Sequence, residues 1–362
     1  MTMPNFDLSN LALAAVCPGN EILYDDKGMP SIMVKIPKQT YAQLGLGAST
    51  AVHPAFIVNG QEVDAIWISK YQNIVVNGRA YSLPAQDPHV NVNFDNARTY
   101  CEAKGAGWHL MTRAEWALLA LWCKNNGFLP YGNNNYGKDS RETNYKAIPT
   151  SYDSGKIGRV ATGTGPLTWS HDKSPAGIWD LNGNVWEWVG GMRLVYGELQ
   201  VLVNNNAADS GNSQSAASSE WKAIDGITGE YITPNGSGTT ANSLKLDFVS
   251  STWKWITGTI SDQVDNYRSC LFESVTADSS VGENAILLLK SLALLKHDTT
   301  AGAYEGDYFY ANNGAAERLF YCGGRWNSGS YAGVFYLGGG APRSNTGTSL
   351  GFRSAYVNLP SV

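Results

Sequence analysis

The block Gly177-Ile178-Trp179-Asp180-Leu181-Asn182-Gly183-Asn184-Val185-Trp186-Glu187-Trp188 constrains this chain most, because large aromatics alternate there with residues that tolerate turn backbone. Glycine weakens a helix interior, and Asp and Asn side chains compete with its backbone hydrogen bonds. Such a block packs as a hub built from turns. The 39 Gly, 12 Trp and 19 Tyr among 362 residues extend that expectation to the whole chain, favouring short strands and loops over a helical bundle. With 43% hydrophobic and 16% charged residues, the chain is neither fibrous nor disordered and has the core of one large domain or two ordinary ones.

Several function classes drop out. The 26 basic and 31 acidic side chains leave a net charge of -5, so no positive field exists to hold a phosphate backbone, and nucleic acid is not an expected partner. Cys17, Cys101, Cys123, Cys270 and Cys322 are odd in number and widely spread, which reads as buried thiols rather than a zinc or redox site. His53, His89, His109, His171 and His297 never fall three to five residues apart, and no nucleophile elbow, P-loop or dinucleotide fingerprint is present. The apolar run 285–295 is interrupted by Lys290 and falls far short of the roughly 20 residues that span a bilayer, so membrane insertion is not expected. The first ten residues lack a basic start and a long apolar core, so no secretory signal is read and synthesis in the cytoplasm is expected.

Along the chain, roughly alternating residues over 31–35 and 65–71, and Asn77-Gly78 between two short apolar runs, predict strands and a hairpin. Phe94, Ala97, Tyr100 and Cys101 recur at helical spacing, with Asn93 as cap and Gly105 as stop. Thr112-Arg113-Ala114-Glu115 is a capping box opening a second helix, whose buried stripe is Trp116, Leu119, Ala120 and Cys123 and whose end is Asn125-Asn126-Gly127. Residues 127–174 predict ordered loop. The stretch 195–312 carries 14 acidic and 6 basic residues, and is expected to be an insertion with its own strands and a helix near 285–295, exposed on one side of the domain.

Asp180, Asn182, Asn184 and Glu187 form a candidate calcium site, since hard cations take several oxygen ligands from one turn. The competing expectation is a hydrogen-bonded turn beneath Trp186, because one short loop rarely fills a coordination shell. No other cofactor is expected.

Together, His109-Leu110-Met111-Thr112-Arg113-Ala114-Glu115-Trp116, the 177–188 block, Gly323-Gly324-Arg325-Trp326 and Gly351-Phe352-Arg353 resemble the successive signatures of the formylglycine-generating, sulfatase-modifying branch of the C-type lectin fold. The resemblance implies an α+β domain over 31–362 after an N-terminal segment 1–30, with short antiparallel strands, two flanking helices and much irregular structure. Oxidases of that branch carry two closely spaced cysteines late in the domain that bind copper. Here Cys322 stands alone ahead of Gly323-Gly324, and the iron-dependent relatives' His-rich domain has no counterpart. An enzyme is therefore not expected; the oxidase alternative requires Cys322 to meet Cys270.

The segment 322–353 is similar to the variable region of diversity-generating retroelement target proteins, in which adenine-directed mutagenesis rewrites selected codons. By that resemblance the rewritten, ligand-binding positions are Arg325, Asn327, Ser328, Ser330, Tyr331, Tyr336, Gly338, Gly339, Gly340, Ala341 and Thr346. The scaffold comprises Trp186, Trp188, Trp326, Phe335, Phe352 and Arg353, with Gly333, Val334, Leu337, Arg343 and Gly351. Tyr offers large contact area for little lost rotamer entropy, and small polar residues adapt around it. The expected function is non-catalytic binding of a protein or glycan on a cell surface, by a phage tail tip in the virion or by a bacterial surface protein. Homo-oligomerisation, or docking to a tail or surface protein through 195–312, is the further partner expectation.

Overall fold

The computed structural model describes residues 7–359. The start of the N-terminal segment and of the stretch read for a signal lies outside them, as do residues 360–362.

Among the described residues there are four α-helices: α1 (Leu8–Val16), α2 (Phe94–Glu102), α3 (Arg113–Asn125) and α4 (Glu283–Ser291). The Asn93 side chain caps α2 by accepting from the Asn96 N–H. Thr112 and Glu115 close the expected capping box at α3, each side chain accepting the other's backbone N–H. Asn77 and Gly78, at φ 51° and 74°, join Ile74–Val76 to Arg79–Tyr81, the left-handed pair a tight hairpin needs. The stripe expected on α3 is too narrow. Residues 113–121 and Cys123 are all buried, so this helix runs through the core instead of lying on it.

One five-stranded antiparallel sheet runs Asn20–Tyr24, Pro30–Pro37, Ala65–Ser69, Ser354–Val357, Trp108–Leu110. Its near-central strand is the last one in the chain. The strand Asn20–Tyr24 pairs along its length with Pro30–Pro37, so residues 20–24 share a sheet with the stretch that follows residue 30.

The second sheet has twelve strands, and the strand Trp186–Val195 lies at its middle, pairing with Glu198–Val201 on one side and Arg318–Cys322 on the other. The stretch 195–312 builds both flanks of this sheet. On one flank Lys245–Val249 and Thr252–Ile256 follow Glu198–Val201; on the other, Tyr308–Ala311 lies beside Leu337–Ala341 with Arg268–Leu271 outside it. Trp253, Trp255, Leu289 and Phe309 share one buried cluster with Trp116 and Leu119. At the start of α3, Arg113 donates to the carbonyls of Leu292 and Ala293 just beyond α4. The apolar residues of this stretch are shared with the core, and its helix near 285–295 is α4.

Candidate ligand-binding site

The 177–188 block is a hub, as its composition predicts. Glu187 receives two bonds from Arg353, Nε to Oε2 at 2.6 Å and Nη2 to Oε1 at 2.6 Å, with both side chains fully buried. Gln72 donates to Glu187 at 2.9 Å and accepts from Asn184 at 2.8 Å. Asn184 Oδ1 accepts from the Val160 N–H, and Asn182 donates to the Pro130 carbonyl. Asp180 Oδ2 accepts from the Gly163 N–H, while burial pushes its carboxyl up to about 6. Gly183 is required here, since a Cβ would lie 2.2 Å from the Asn133 carbonyl oxygen.

This network corrects the calcium expectation at Asp180, Asn182, Asn184 and Glu187. Glu187 is already neutralised by a guanidinium, and the amide oxygens, which a cation would take, accept from Asn134 at Asn182 and from the Val160 N–H and Asn133 at Asn184. Among the described residues no group of three or more His, Cys, Asp or Glu side chains converges as a metal shell.

The sheet geometry overturns the copper alternative. Cys322 faces Leu337, Leu337 faces Phe309, and Phe309 faces Cys270, so the two thiols stand three strand spacings apart, roughly 14 Å at about 4.8 Å each. Cys322 instead accepts from Arg113 at 3.2 Å, and burial pushes its thiol up to about 11.

Above the hub's edge the carboxyl-terminal segment and its neighbours line an open cavity of about 500 Å³. Its lining includes five expected positions, Arg325, Asn327, Ser328, Tyr331 and Tyr336. Tyr336 is almost wholly buried yet forms part of the wall, its ring 6.5 Å from that of Trp186 and nearly parallel to it. Tyr331 is exposed and stacks on Tyr308 with centroids 3.9 Å apart. The Arg325 guanidinium lies 4.4 Å over the Trp186 ring and donates to Ser349 Oγ. Burial drives the Tyr321 and Tyr336 phenols far above their ordinary range, so both are neutral donors.

The other expected positions lie elsewhere. Ser330 and Thr346 are exposed but outside the cavity. Gly338, Gly339, Gly340 and Ala341, expected to be displayed, are buried in the strand Leu337–Ala341, which is hydrogen-bonded on both sides. A Cβ at Gly338 would fall 2.3 Å from the Tyr321 ring, one at Gly340 2.5 Å from Tyr267, and one at Gly339 2.3 Å from Phe320. Glycine there seats aromatic rings flat against the strand. Ala341 packs in a cluster with Phe94, Trp188 and Leu319. Of the scaffold set, Trp188, Trp326, Phe335, Phe352 and Arg353 are buried, whereas Trp186 is half-buried and lines the cavity.

Sequence reasoning missed Tyr267, Tyr310, Tyr321 and Asn345, which complete the lining. A signal for one of them existed. In Tyr308-Phe309-Tyr310-Ala311 the tyrosines alternate with core residues at the strand period, which sets both tyrosines on one face.

Residues 55–356 match the sulfatase-modifying factor enzyme 1-like domain, and the chain belongs to that family. No curated protein matches it. Among solved structures it is similar to PvdO from Pseudomonas aeruginosa, at 14% identity over 94% of this chain and 99% of that one, with a TM-score of 0.35. Variable protein 1 of Treponema denticola is 11% identical over 94% of this chain and all of that one, at 0.33. The P3c variant of Major Tropism Determinant is 11% identical over 93% of this chain and 71% of that one, at 0.30. These scores are too low for anything about function to follow from them.

Proposed function

We propose that this protein is a non-catalytic binder that recognises a protein or glycan on a cell surface through the aromatic cavity, with 322–353 as its diversified part. The observation that carries the reading is convergence: five positions singled out by the variable-region resemblance line one cavity, over a frame of buried Trp188, Phe335, Phe352 and Arg353. The opposite outcome, scattering over unrelated faces, was open to them. Rigid aromatic walls with small polar neighbours suit recognition, because little rotamer freedom is lost on binding. The buried Gly338 and Gly340 fit the same reading indirectly, since a larger side chain at either would displace Tyr321 or Tyr267 and reshape the cavity. The site of action in this reading is a virion tail tip or a bacterial surface.

Two experiments test it. Binding of the full chain to a panel of bacterial cells is expected to be lost in the Tyr331→Ala, Tyr336→Ala double variant; unchanged binding removes the cavity from the argument. In the neighbouring DNA, a near-copy of the codons for 322–353 that differs almost only at adenines is expected beside a reverse-transcriptase gene. Without that copy diversification fails, and a fixed binding cavity remains.

A further inference from the structure

Three features of the cavity go beyond the display reading and narrow the class of ligand. First, it has two walls of different origin. Tyr267 and Tyr310 lie in the stretch 195–312, and Trp186 and Tyr321 also precede the variable segment, whereas Arg325, Asn327, Ser328, Tyr331 and Tyr336 lie within it. The constant wall is almost entirely aromatic.

Second, the rest of the lining is polar and uncharged: Asn327, Ser328 and Asn345. Asn327 Oδ1 has no hydrogen-bond partner within the protein. Amides and a hydroxyl can each donate and accept, so a guest able to do both is favoured over a purely apolar one.

Third, Arg325 is an isolated charge. Arg79, Arg98, Arg141, Arg159, Arg193, Arg268, Arg318, Arg343 and Arg353 each pair with a carboxylate, and the buried Arg113 is held by carbonyls and a thiol. Arg325 has a ring beneath it and a hydroxyl beside it, and no Asp or Glu lines the cavity. In a chain of net charge -5 this is a local positive centre awaiting an anion.

We propose, building on the display reading above, that this cavity takes a carboxylate-bearing saccharide unit. The sugar's C–H face lies against the tyrosine wall, its hydroxyls meet the Asn327, Ser328 and Asn345 side chains, and its carboxylate meets Arg325. An acidic sugar satisfies all three features at once. The cavity's size is within the usual small-molecule range of about 300–1,000 Å³. The strand Leu337–Ala341 is paired on both sides and cannot take an added strand, and an acidic peptide side chain is the competitor that the glutamate surface below tests. Since Arg325 itself lies in the variable segment, the acid preference belongs to this version of the protein, while Trp186, Tyr267, Tyr310 and Tyr321 of the seat lie outside that segment.

The test uses the full chain over surfaces carrying polymer-linked methyl glucuronide, polymer-linked N-acetylneuraminic acid, the neutral polymer-linked glucoside and a polymer-linked acetyl-glutamate amide. At least one acidic glycoside is expected to bind at least tenfold tighter than the glucoside. Arg325→Gln should close that gap, and Tyr310→Ala, outside the variable segment, should weaken binding at least fivefold at unchanged melting temperature. Equal binding of acidic and neutral sugars, capture by the glutamate surface alone, or no glycoside binding overturns the proposal. The display reading is judged separately, by cell binding and its loss in the Tyr331→Ala, Tyr336→Ala variant; if those hold while no acidic glycoside binds or competes, only the ligand class is wrong.

Discussion

The 177–188 hub and the cavity above it share one strand: Trp186–Val195 contributes Glu187 to the first and Trp186 to the second. Successive side chains of a strand point to opposite faces, so two neighbours serve opposite ends. On the hub side Glu187, Asn184, Asn182 and Gln72 are all bonded, and the guanidinium of Arg353 meets a carboxylate and carbonyls. Trp179 Nε1 and Asp180 Oδ1 are the unpaired atoms there, and the other Asp180 oxygen accepts from the Gly163 N–H. On the cavity side Asn327 Oδ1 has no partner and Arg325 has no carboxylate beside it. Polar groups saturated by the protein hold shape, and polar groups left open are available to something else.

That contrast can be broken most severely at the hub. Arg353→Ala strands Glu187 without its partner, and a loss of about 3–5 kcal/mol in chemical denaturation is expected; a loss below about 1 kcal/mol would show that the pair is not what holds the block. Next, Gly339→Ala drives a methyl into the Phe320 ring and should cost about 1–3 kcal/mol, while Gly347→Ala, with open space around it, should stay within about 0.5 kcal/mol.

A subtler effect is expected at Asp307, which joins the strand Tyr308–Ala311 to the turn before Tyr336 by accepting the Phe335 N–H at 2.8 Å. Burial pushes its carboxyl up to about 8 from an ordinary 3.8, with Glu305 and Asp139 adding to the rise and Arg141 opposing it. A raised acid holds its proton in the folded state over that window. Its contribution to stability is therefore whole below about pH 4 and is lost as pH rises through about 8. Melting temperatures from pH 6 to 9 should fall less steeply in Asp307→Asn than in the parent; parallel curves would remove Asp307 from the account. The smallest effects belong to the open face, where Ser330→Ala and Thr346→Ala should each change stability by no more than about 0.5 kcal/mol.

Local chemistry made much of this legible in advance. Thr112 and Glu115 find each other across one helical turn, Asn93 reaches a backbone N–H three residues on, and Asn77-Gly78 adopts left-handed backbone, all within a few residues of sequence. The frame residues Trp188, Phe335 and Phe352 were equally readable, because apolar bulk has few destinations other than the core. The errors have a common cause. Gly338, Gly339 and Gly340 looked like display loop because nothing local reveals that Tyr321, Phe320 and Tyr267 lie across them. Asp180, Asn182, Asn184 and Glu187 looked like cation ligands because Arg353 and Gln72, which satisfy Glu187 and Asn184, are distant in the chain. The stretch 195–312 looked separable because its composition differs, although its strands close both flanks of a shared sheet.

Caps, turns, strand periods and the identity of the rigid frame thus follow from the order of residues, since each rests on backbone geometry or apolar character that neighbours express unaided. Which thiols, carboxylates and tyrosines come to face one another was settled by sheet pairing. That pairing sets Cys270 three strands from Cys322 and brings Tyr267 and Tyr310 beside Arg325 and Trp186. Register between distant strands is a property of the whole packed core, and no short stretch of chain carries it.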